Sequence, residues 1–184
     1  MSEEDKKIVI SGTNNKYQMN KLIRPRDKNE IKKRIESGKW TFSESYYEYV
    51  NQIKIIIDLS NNSNDEVSKI VIQEINKKIS GYKQQDKLKK ILDEDKFIRI
   101  ESVIKKLIEC ELRCRYCKAE MKVLYDIARQ MSQWSVDRID NDKGHNDDNF
   151  HIACLECNLK RRRRSDENFL FTKQLNLVKS DSNI

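Results

Sequence analysis

Apolar residues in the first hundred or so positions recur every three or four residues, which places them on one face of an α-helix. Val67, Ile70 and Val71 are an example, and Gly81 is expected to end the helix that carries them. The first part of the chain is therefore predicted to be mainly helical. The predicted helices run from Asp27 to Ser37, from about Phe42 to Leu59, from the turn Ser60–Asn64 to about Ser80, around Asp86 to Asp93, and around Glu101 to Glu109.

The pattern changes at Leu112, where short apolar segments separated by turn residues replace the helical spacing. Such segments predict strands, and Gly144 is the flexible point of the loop between the last two. The predicted strands are Met121–Tyr125, Trp134–Ile139 and Phe150–Ala153, followed by a helix that begins at Cys154-Leu-Glu-Cys157. The sequence therefore predicts an α+β fold with a flexible basic arm at 1–26, a helical extension at 27–109, and a strand–loop–strand–helix domain at 110–184.

Two Cys-x-x-Cys pairs, Cys114/Cys117 and Cys154/Cys157, bracket the strand–loop–strand segment. Four thiolates in two close pairs satisfy the tetrahedral preference of Zn²⁺ and leave no open position, which predicts a structural zinc ion. Disulfides are the alternative, but the chain lacks the apolar segment of a secretory signal, which favours reduced thiols. About 36 residues separate the pairs, more than in a usual zinc ribbon. We therefore expect the chemistry to lie inside this clamped loop.

Charge and apolar content limit the classes of partner. The chain has a formal net charge of +7, with 36% charged and 37% hydrophobic residues. A basic balance points to a polyanionic partner, and nucleic acid is the first choice. No apolar run approaches the roughly 18 residues of a membrane span. We therefore expect an intracellular protein, cytoplasmic or nuclear, without membrane association.

Four short motifs follow the first cysteine pair: Val-Asp-Arg-Ile-Asp-Asn from Val136, Lys-Gly-His ending at His145, Asp-Asn-Phe ending at Phe150, and Cys-Leu-Glu-Cys-Asn ending at Asn158. In this order they resemble the HNH endonuclease family of the His-Me finger superfamily, over about residues 110–165. The resemblance implies a zinc-stabilised, treble-clef-like ββα-metal fold and an endonuclease that cuts DNA, most simply double-stranded DNA. Family members typically carry Asp-His where this chain has Asp137-Arg138, so the chain looks like an Asp-Arg variant.

The resemblance implies catalytic roles for Asp137, Arg138, Asn149 and Asn158. Asp137 and Asn158 offer the oxygen ligands that Mg²⁺ or Mn²⁺ prefers, and such a cation would neutralise charge growing on the scissile phosphate. Asn149 would tie the loop back onto the hairpin. Arg138 cannot accept a proton near neutral pH, but its guanidinium can grip a phosphate.

The general base must then be another group. His145 is preferred for its place in the loop, because imidazole titrates in the useful range. His151, on the return strand, is the other histidine of the chain. A metal-bound hydroxide without a protein base is a third possibility.

A basic run follows the second cysteine pair and consists of Lys160, Arg161, Arg162, Arg163 and Arg164. It is typical of a solvated helix end, a nuclear-localisation signal or a phosphate-contacting surface. Its position beside the expected site favours phosphate contact, together with Arg138.

Two functions remain compatible with these residues. The first is a metal-dependent nuclease of HNH type. The second is a catalytically degenerate zinc module, derived from such a nuclease, that binds nucleic acid or organises a larger complex. Arg138 favours the module, whereas Asp137, Asn149 and Asn158 favour the nuclease, which is the preferred reading.

Overall fold

The computed structural model describes residues 12, 15, 19 and 31–175. Five α-helices and one two-stranded antiparallel sheet lie within residues 31–175. The fold is thus mixed α+β, as predicted. Nearly all of the predicted arm at 1–26 lies outside these residues. The described residues from Lys33 onward belong to one compact unit. No helix in the described segments is both long enough and apolar enough to cross a membrane.

Two 3₁₀ turns, Glu36–Lys39 and Glu44–Tyr47, precede the first long helix, α1, at Tyr49–Ser60. The helix predicted from Asp27 to Ser37 is wrong over residues 31–35, which are not helical, and its last two positions fall in the first 3₁₀ turn. There the backbone N–H of Arg34 donates to the carbonyl of Asp126 at 2.6 Å, so this segment pairs with a distant loop. A tertiary contact has replaced the local helical bonds.

Helix α2 spans Glu66–Lys89 without interruption. Asp65 caps its first turn, and Lys90 ends it in a left-handed conformation with φ of 58°. Gly81 therefore does not end the helix. The helix predicted around Asp86–Asp93 is wrong as a separate element, because residues 86–89 are the last turn of α2 and residues 90–93 are not helical. A glycine inside a helix costs only about 1 kcal/mol relative to alanine, which the buried face of α2 offsets.

Helix α3, Ile100–Glu109, packs against α1 and the sheet, as its predicted apolar face requires. Buried Gln52 of α1 joins the helices to the segment before the sheet. Its side-chain oxygen accepts from the backbone N–H groups of Val123 and Leu124 at 2.6 and 3.0 Å. The predicted strand Met121–Tyr125 is wrong, because this segment forms only one isolated bridge, between Lys122 and Gln133.

The sheet is a hairpin of β1, Trp134–Arg138, and β2, Phe150–Cys154, with Asp137 opposite His151 in the register. Helix α4, Leu155–Arg161, follows directly, and α5, Asp166–Gln174, closes the described part of the chain. The two predicted strands and the helix after them are confirmed.

One hydrophobic core joins the helices to the hairpin. Its fully buried members include, from α2, α3 and the two strands, Val71, Ile75, Val103, Leu107, Trp134 and Phe150. The segment after α2 also pairs with the hairpin loop: Ile98 N–H donates to the His145 carbonyl at 2.9 Å, and Asp147 N–H to the Lys96 carbonyl at 2.9 Å. The loop that carries His145 is thereby fixed against the helical region.

Candidate functional site

The four cysteines of the two pairs converge. The Sγ atoms of Cys114, Cys117, Cys154 and Cys157 all lie within 4.8 Å of one another, and the four residues are unpaired thiols rather than disulfides. Backbone N–H groups of the second cysteine pair donate hydrogen bonds to the sulfurs: the N–H of Cys154 to Cys114 Sγ at 3.3 Å, and the N–H of Cys157 to Cys154 Sγ at 3.4 Å. These four thiols could hold a metal ion in a closed, four-coordinate site.

The proton affinities of these thiols are unequal. Hydrogen bonding by Cys154 lowers the pKa of Cys114 to about 4, whereas burial raises the pKa of Cys157 to about 12. Thiols this close compete to carry one negative charge, and a bound cation would allow all of them to ionise. Cys110 stays outside the cluster, with its Sγ 3.5 Å from the carbonyl oxygen of Leu107.

A cavity of about 830 Å³ lies between the C-terminal half of α2, strand β1 and helix α4. Four of the five predicted catalytic residues line it. They are Asp137, Arg138, His145 and Asn158, and Arg162 and Arg163 lie at the same cavity. The sequence motif and the helical region thus form this cavity together.

Asp137 makes a buried ion pair with Arg161. Arg161 Nε donates to Asp137 Oδ2 at 2.7 Å and Nη2 to Oδ1 at 3.0 Å, with side-chain exposures of 0% and 5%. The Tyr116 hydroxyl donates to the same carboxylate and lies 2.7 Å from Asp166. Burial raises the pKa of Asp137, and Arg161 and Tyr116 oppose that rise by stabilising the carboxylate.

These contacts change two predicted roles. Arg161 is completely buried, so its predicted contact with nucleic acid is wrong. Both oxygens of Asp137 already accept hydrogen bonds, and its carboxylate faces Arg161 rather than an open ligand position. Asn158, the predicted second ligand, uses its Nδ2 to bind the Val136 carbonyl at 3.0 Å. Asp137 therefore fits a divalent cation poorly, whereas the contacts of Asn158 use its Nδ2 and not its amide oxygen. The contacts of both residues hold β1 to α4.

Arg138 and Asn149 fix the shape of the hairpin loop. Arg138 Nη1 donates to the carbonyl oxygens of Asn141 and Lys143 at 3.0 and 2.9 Å. Asn149 Nδ2 donates to the carbonyls of Asp140 and Gly144, both at 2.9 Å. The predicted loop-tying role of Asn149 agrees with these bonds.

His145 is buried beside the cavity and is held by a residue that the sequence analysis missed. Asp86 Oδ1 lies 2.7 Å from His145 Nδ1, and Asp86 Oδ2 accepts from the His145 backbone N–H at 2.6 Å. Burial lowers the pKa of His145, Arg138 and Lys89 lower it further, and Asp86 opposes them. Asp86 gave no sequence signal, because the helix that carries it was expected to end before it.

His151 lies at a different cavity, lined by residues such as Lys106 and Arg115. Its Nε2 is 3.5 Å from Asp166 Oδ2, and burial lowers its pKa to about 4. Between the two predicted bases, His145 alone lines the cavity that holds Arg138.

All members of the basic run except Arg161 are exposed. Arg163 pairs loosely with Asp142 at 3.3 Å, with both side chains more than four-fifths exposed. Lys160 pairs with Glu156 one turn earlier on α4, and Arg164 lies over the ring of Phe169. Arg162 and Arg163 are therefore the members of the run that remain at the cavity.

No protein-family model, curated protein or solved structure matches the chain.

The buried ion pair generates a stability prediction. Asp137→Asn should lower the free energy of unfolding by about 3 kcal/mol, because it leaves the Arg161 charge buried without a counter-charge. Urea denaturation of the two proteins at neutral pH measures the difference.

Asp142→Asn is the matched control, since it removes the same charge from an exposed pair with Arg163. Exposed pairs contribute little, so this variant should unfold at the wild-type urea concentration. Equal stability of both variants would show that the Asp137–Arg161 contact does not support the fold.

Proposed function

We propose that this protein is an endonuclease of HNH type that hydrolyses phosphodiester bonds in DNA, with a structural zinc ion at the four-cysteine cluster. The observation that carries the proposal is the cavity that a carboxylate-held histidine, His145, shares with the arginines Arg138, Arg162 and Arg163. A base that shares a cavity with several cations suits the hydrolysis of an anionic ester.

Zinc is the metal that the cysteine cluster suits best. A tetrahedron with Zn–S bonds of about 2.3 Å has its sulfurs about 3.8 Å apart, and the Cys117 and Cys154 sulfurs lie 3.9 Å apart. Four thiolates leave no position for substrate, so the ion would be structural. Its role would be to fix the start of α4, where Asn158 follows Cys157 directly.

In the proposed reaction, His145 Nε2 takes a proton from a water molecule, whose oxygen then attacks phosphorus. The bond from phosphorus to the leaving 3′-oxygen breaks with its electron pair, and that oxygen takes a proton from solvent. His145 returns its proton to solvent. Because the guanidinium groups stay protonated, they balance the charge on the phosphate throughout the reaction.

Divalent cations have weaker support than the histidine. Both oxygens of Asp137 are engaged by Arg161 and Tyr116, so no step of the proposed reaction passes through a cation at Asp137. The predicted Mg²⁺ or Mn²⁺ is tested in the cleavage assay by comparing samples with and without each ion.

A zinc module without catalysis is the second candidate. One specific observation favours it: the carboxylate of Asp137, which the family resemblance assigns to the catalytic centre, is instead part of a buried ion pair. Such a module would bind DNA through Arg162 and Arg163 and cut nothing.

The zinc assignment predicts one bound zinc per chain in metal analysis of the native protein. Cys154→Ser should abolish zinc binding and unfold the hairpin–helix unit, since metal binding at such a site contributes directly to folding. Cys110→Ser is the control, because Cys110 lies outside the cluster, and it should keep its zinc. Native protein without zinc, or equal loss in both variants, contradicts the assignment.

The proposed reaction predicts nicking of supercoiled plasmid DNA by the wild-type protein. His145→Ala should slow nicking on the order of 10²-fold or more, because the water loses its base, while DNA binding and zinc content stay unchanged. His151→Gln, at the other cavity, should nick at the wild-type rate.

The assay separates the two candidate functions. Wild-type protein that binds DNA but leaves it intact, with no added divalent cation and with Mg²⁺ or Mn²⁺, supports the non-catalytic module. Nicking that His145→Ala does not slow rejects His145 as the base and leaves the nuclease without its assigned mechanism.

Phosphate contact by Arg162 and Arg163 predicts a salt effect on DNA binding. In a His145→Ala background, replacing both arginines by glutamine should weaken binding and flatten the slope of log affinity against log salt by up to about two units. Replacing Arg113 and Lys118 by glutamine removes the same charge at the other cavity and should leave the slope unchanged. Equal flattening in both would indicate diffuse attraction rather than a binding face.

A further inference from the structure

Helix α2 contacts His145 with two residues one turn apart. Asp86, which has no exposed surface, binds both the Nδ1 and the backbone N–H of His145. Tyr82 stacks on the imidazole, with ring centroids 4.6 Å apart and an interplanar angle of 23°. The Tyr82 hydroxyl accepts from the Val136 N–H at 3.1 Å, which ties the stacking ring to β1. One face of α2 thus sets both the position and the plane of the ring.

The backbone beside His145 is fitted to the same helix end. A Cβ atom at Gly144 would lie 2.6 Å from the Ile91 carbonyl oxygen and 3.0 Å from Asp86 Oδ2. Any larger residue would push the loop away from Asp86. The absence of a side chain at position 144 therefore serves the approach of His145 to the carboxylate.

The hydrogen bonds fix which nitrogen carries the proton. An ionised carboxylate only accepts hydrogen bonds, so a neutral His145 bound to Asp86 must carry its proton on Nδ1. The lone pair is then on Nε2, and His145 lines the cavity. A free imidazole prefers the opposite tautomer, so the contact with Asp86 selects the form that can act as a base at Nε2.

We propose that Asp86 is a positioning residue of the active site, which holds His145 in its Nδ1–H tautomer and directs Nε2 toward the substrate. This inference rests on the proposed nuclease function and adds helix α2, far from the sequence motif, to the catalytic machinery. Asp86 itself takes no proton. Its carboxylate also stabilises the imidazolium that forms when His145 accepts a proton.

Within the described part of the chain, the charged or titratable groups around His145 are Asp86, Lys89 and Tyr82 from α2, and Arg138 from β1. Burial and the two cations lower the pKa of His145, and Asp86 raises it. A general base works in its deprotonated form, so the rate should fall as the pH drops through this lowered pKa. Removing the Asp86 charge lowers that pKa further and should move the acid limb to lower pH.

The test compares Asp86→Asn with the exposed control Asp95→Asn in plasmid nicking from about pH 5 to about pH 9. Asp86→Asn should reduce the plateau rate on the order of 10²-fold to 10⁴-fold, shift the acid limb to lower pH, and leave DNA binding unchanged. A loss of packing alone would lower the rate without moving the acid limb. Wild-type behaviour of Asp86→Asn overturns the proposal, as does an equal loss in Asp95→Asn.

A measurement on wild-type protein keeps the proposal testable if Asp86→Asn does not fold. The chain has two histidines, so long-range ¹H–¹⁵N spectra, assigned with His151→Gln, report the tautomer of His145. The Nδ1–H form is expected, and the Nε2–H form overturns the proposal. If the wild type shows the Nδ1–H form and does not nick DNA, the proposed function fails while the positioning contact stands.

Discussion

The ion pair between Asp137 and Arg161 lies where strand β1, helix α4 and the turn of the first cysteine pair meet. A guanidinium without exposed surface must use its donors on protein acceptors, and Arg161 does so: it binds Asp137 and the carbonyl oxygens of Arg138 and Arg164. Tyr116 extends the network to Asp166. These bonds join three segments. The buried charge of Arg161 therefore holds in place the two elements, β1 and α4, that bring Arg138 and Asn158 to the cavity.

Helix α4 illustrates how the hairpin unit compensates for its small size. A helix of seven residues, Leu155–Arg161, is too short to be stable by itself. It is held at both ends, by Cys154 and Cys157 in the cysteine cluster at its start and by Arg161 at its end. The residues between these ends, including Asn158, therefore have little freedom to move relative to β1.

The elements that depend on interactions between neighbouring residues were predicted correctly from the sequence. The cysteine pairs, the two hairpin strands and helix α3 carry their signals within a few residues, and each was found. The predicted helix end at Gly81 was wrong, because the cost of about 1 kcal/mol for a glycine inside a helix is outweighed by the burial of apolar residues along the rest of α2. The roles of Asp86 and Arg161 could not be predicted from the sequence. An acid on a helix and an arginine in a basic run are usually exposed to solvent, and the partners that bury these two residues lie 59 and 24 positions away.

The contact between Asp86 and His145 spans 59 residues, and the cysteine contact between Cys114 and Cys154 spans 40. The two loops overlap, because Cys114 lies inside the first loop and Cys154 outside it. Closing the cysteine cluster around a metal ion would therefore shorten the path along the chain from Asp86 to His145. The entropy of loop closure depends on the logarithm of that length, so the shorter path makes the second contact easier by about a few tenths of a kcal/mol. A metal ion held by the four cysteines would thus favour the placement of His145 through the connectivity of the chain, without touching it.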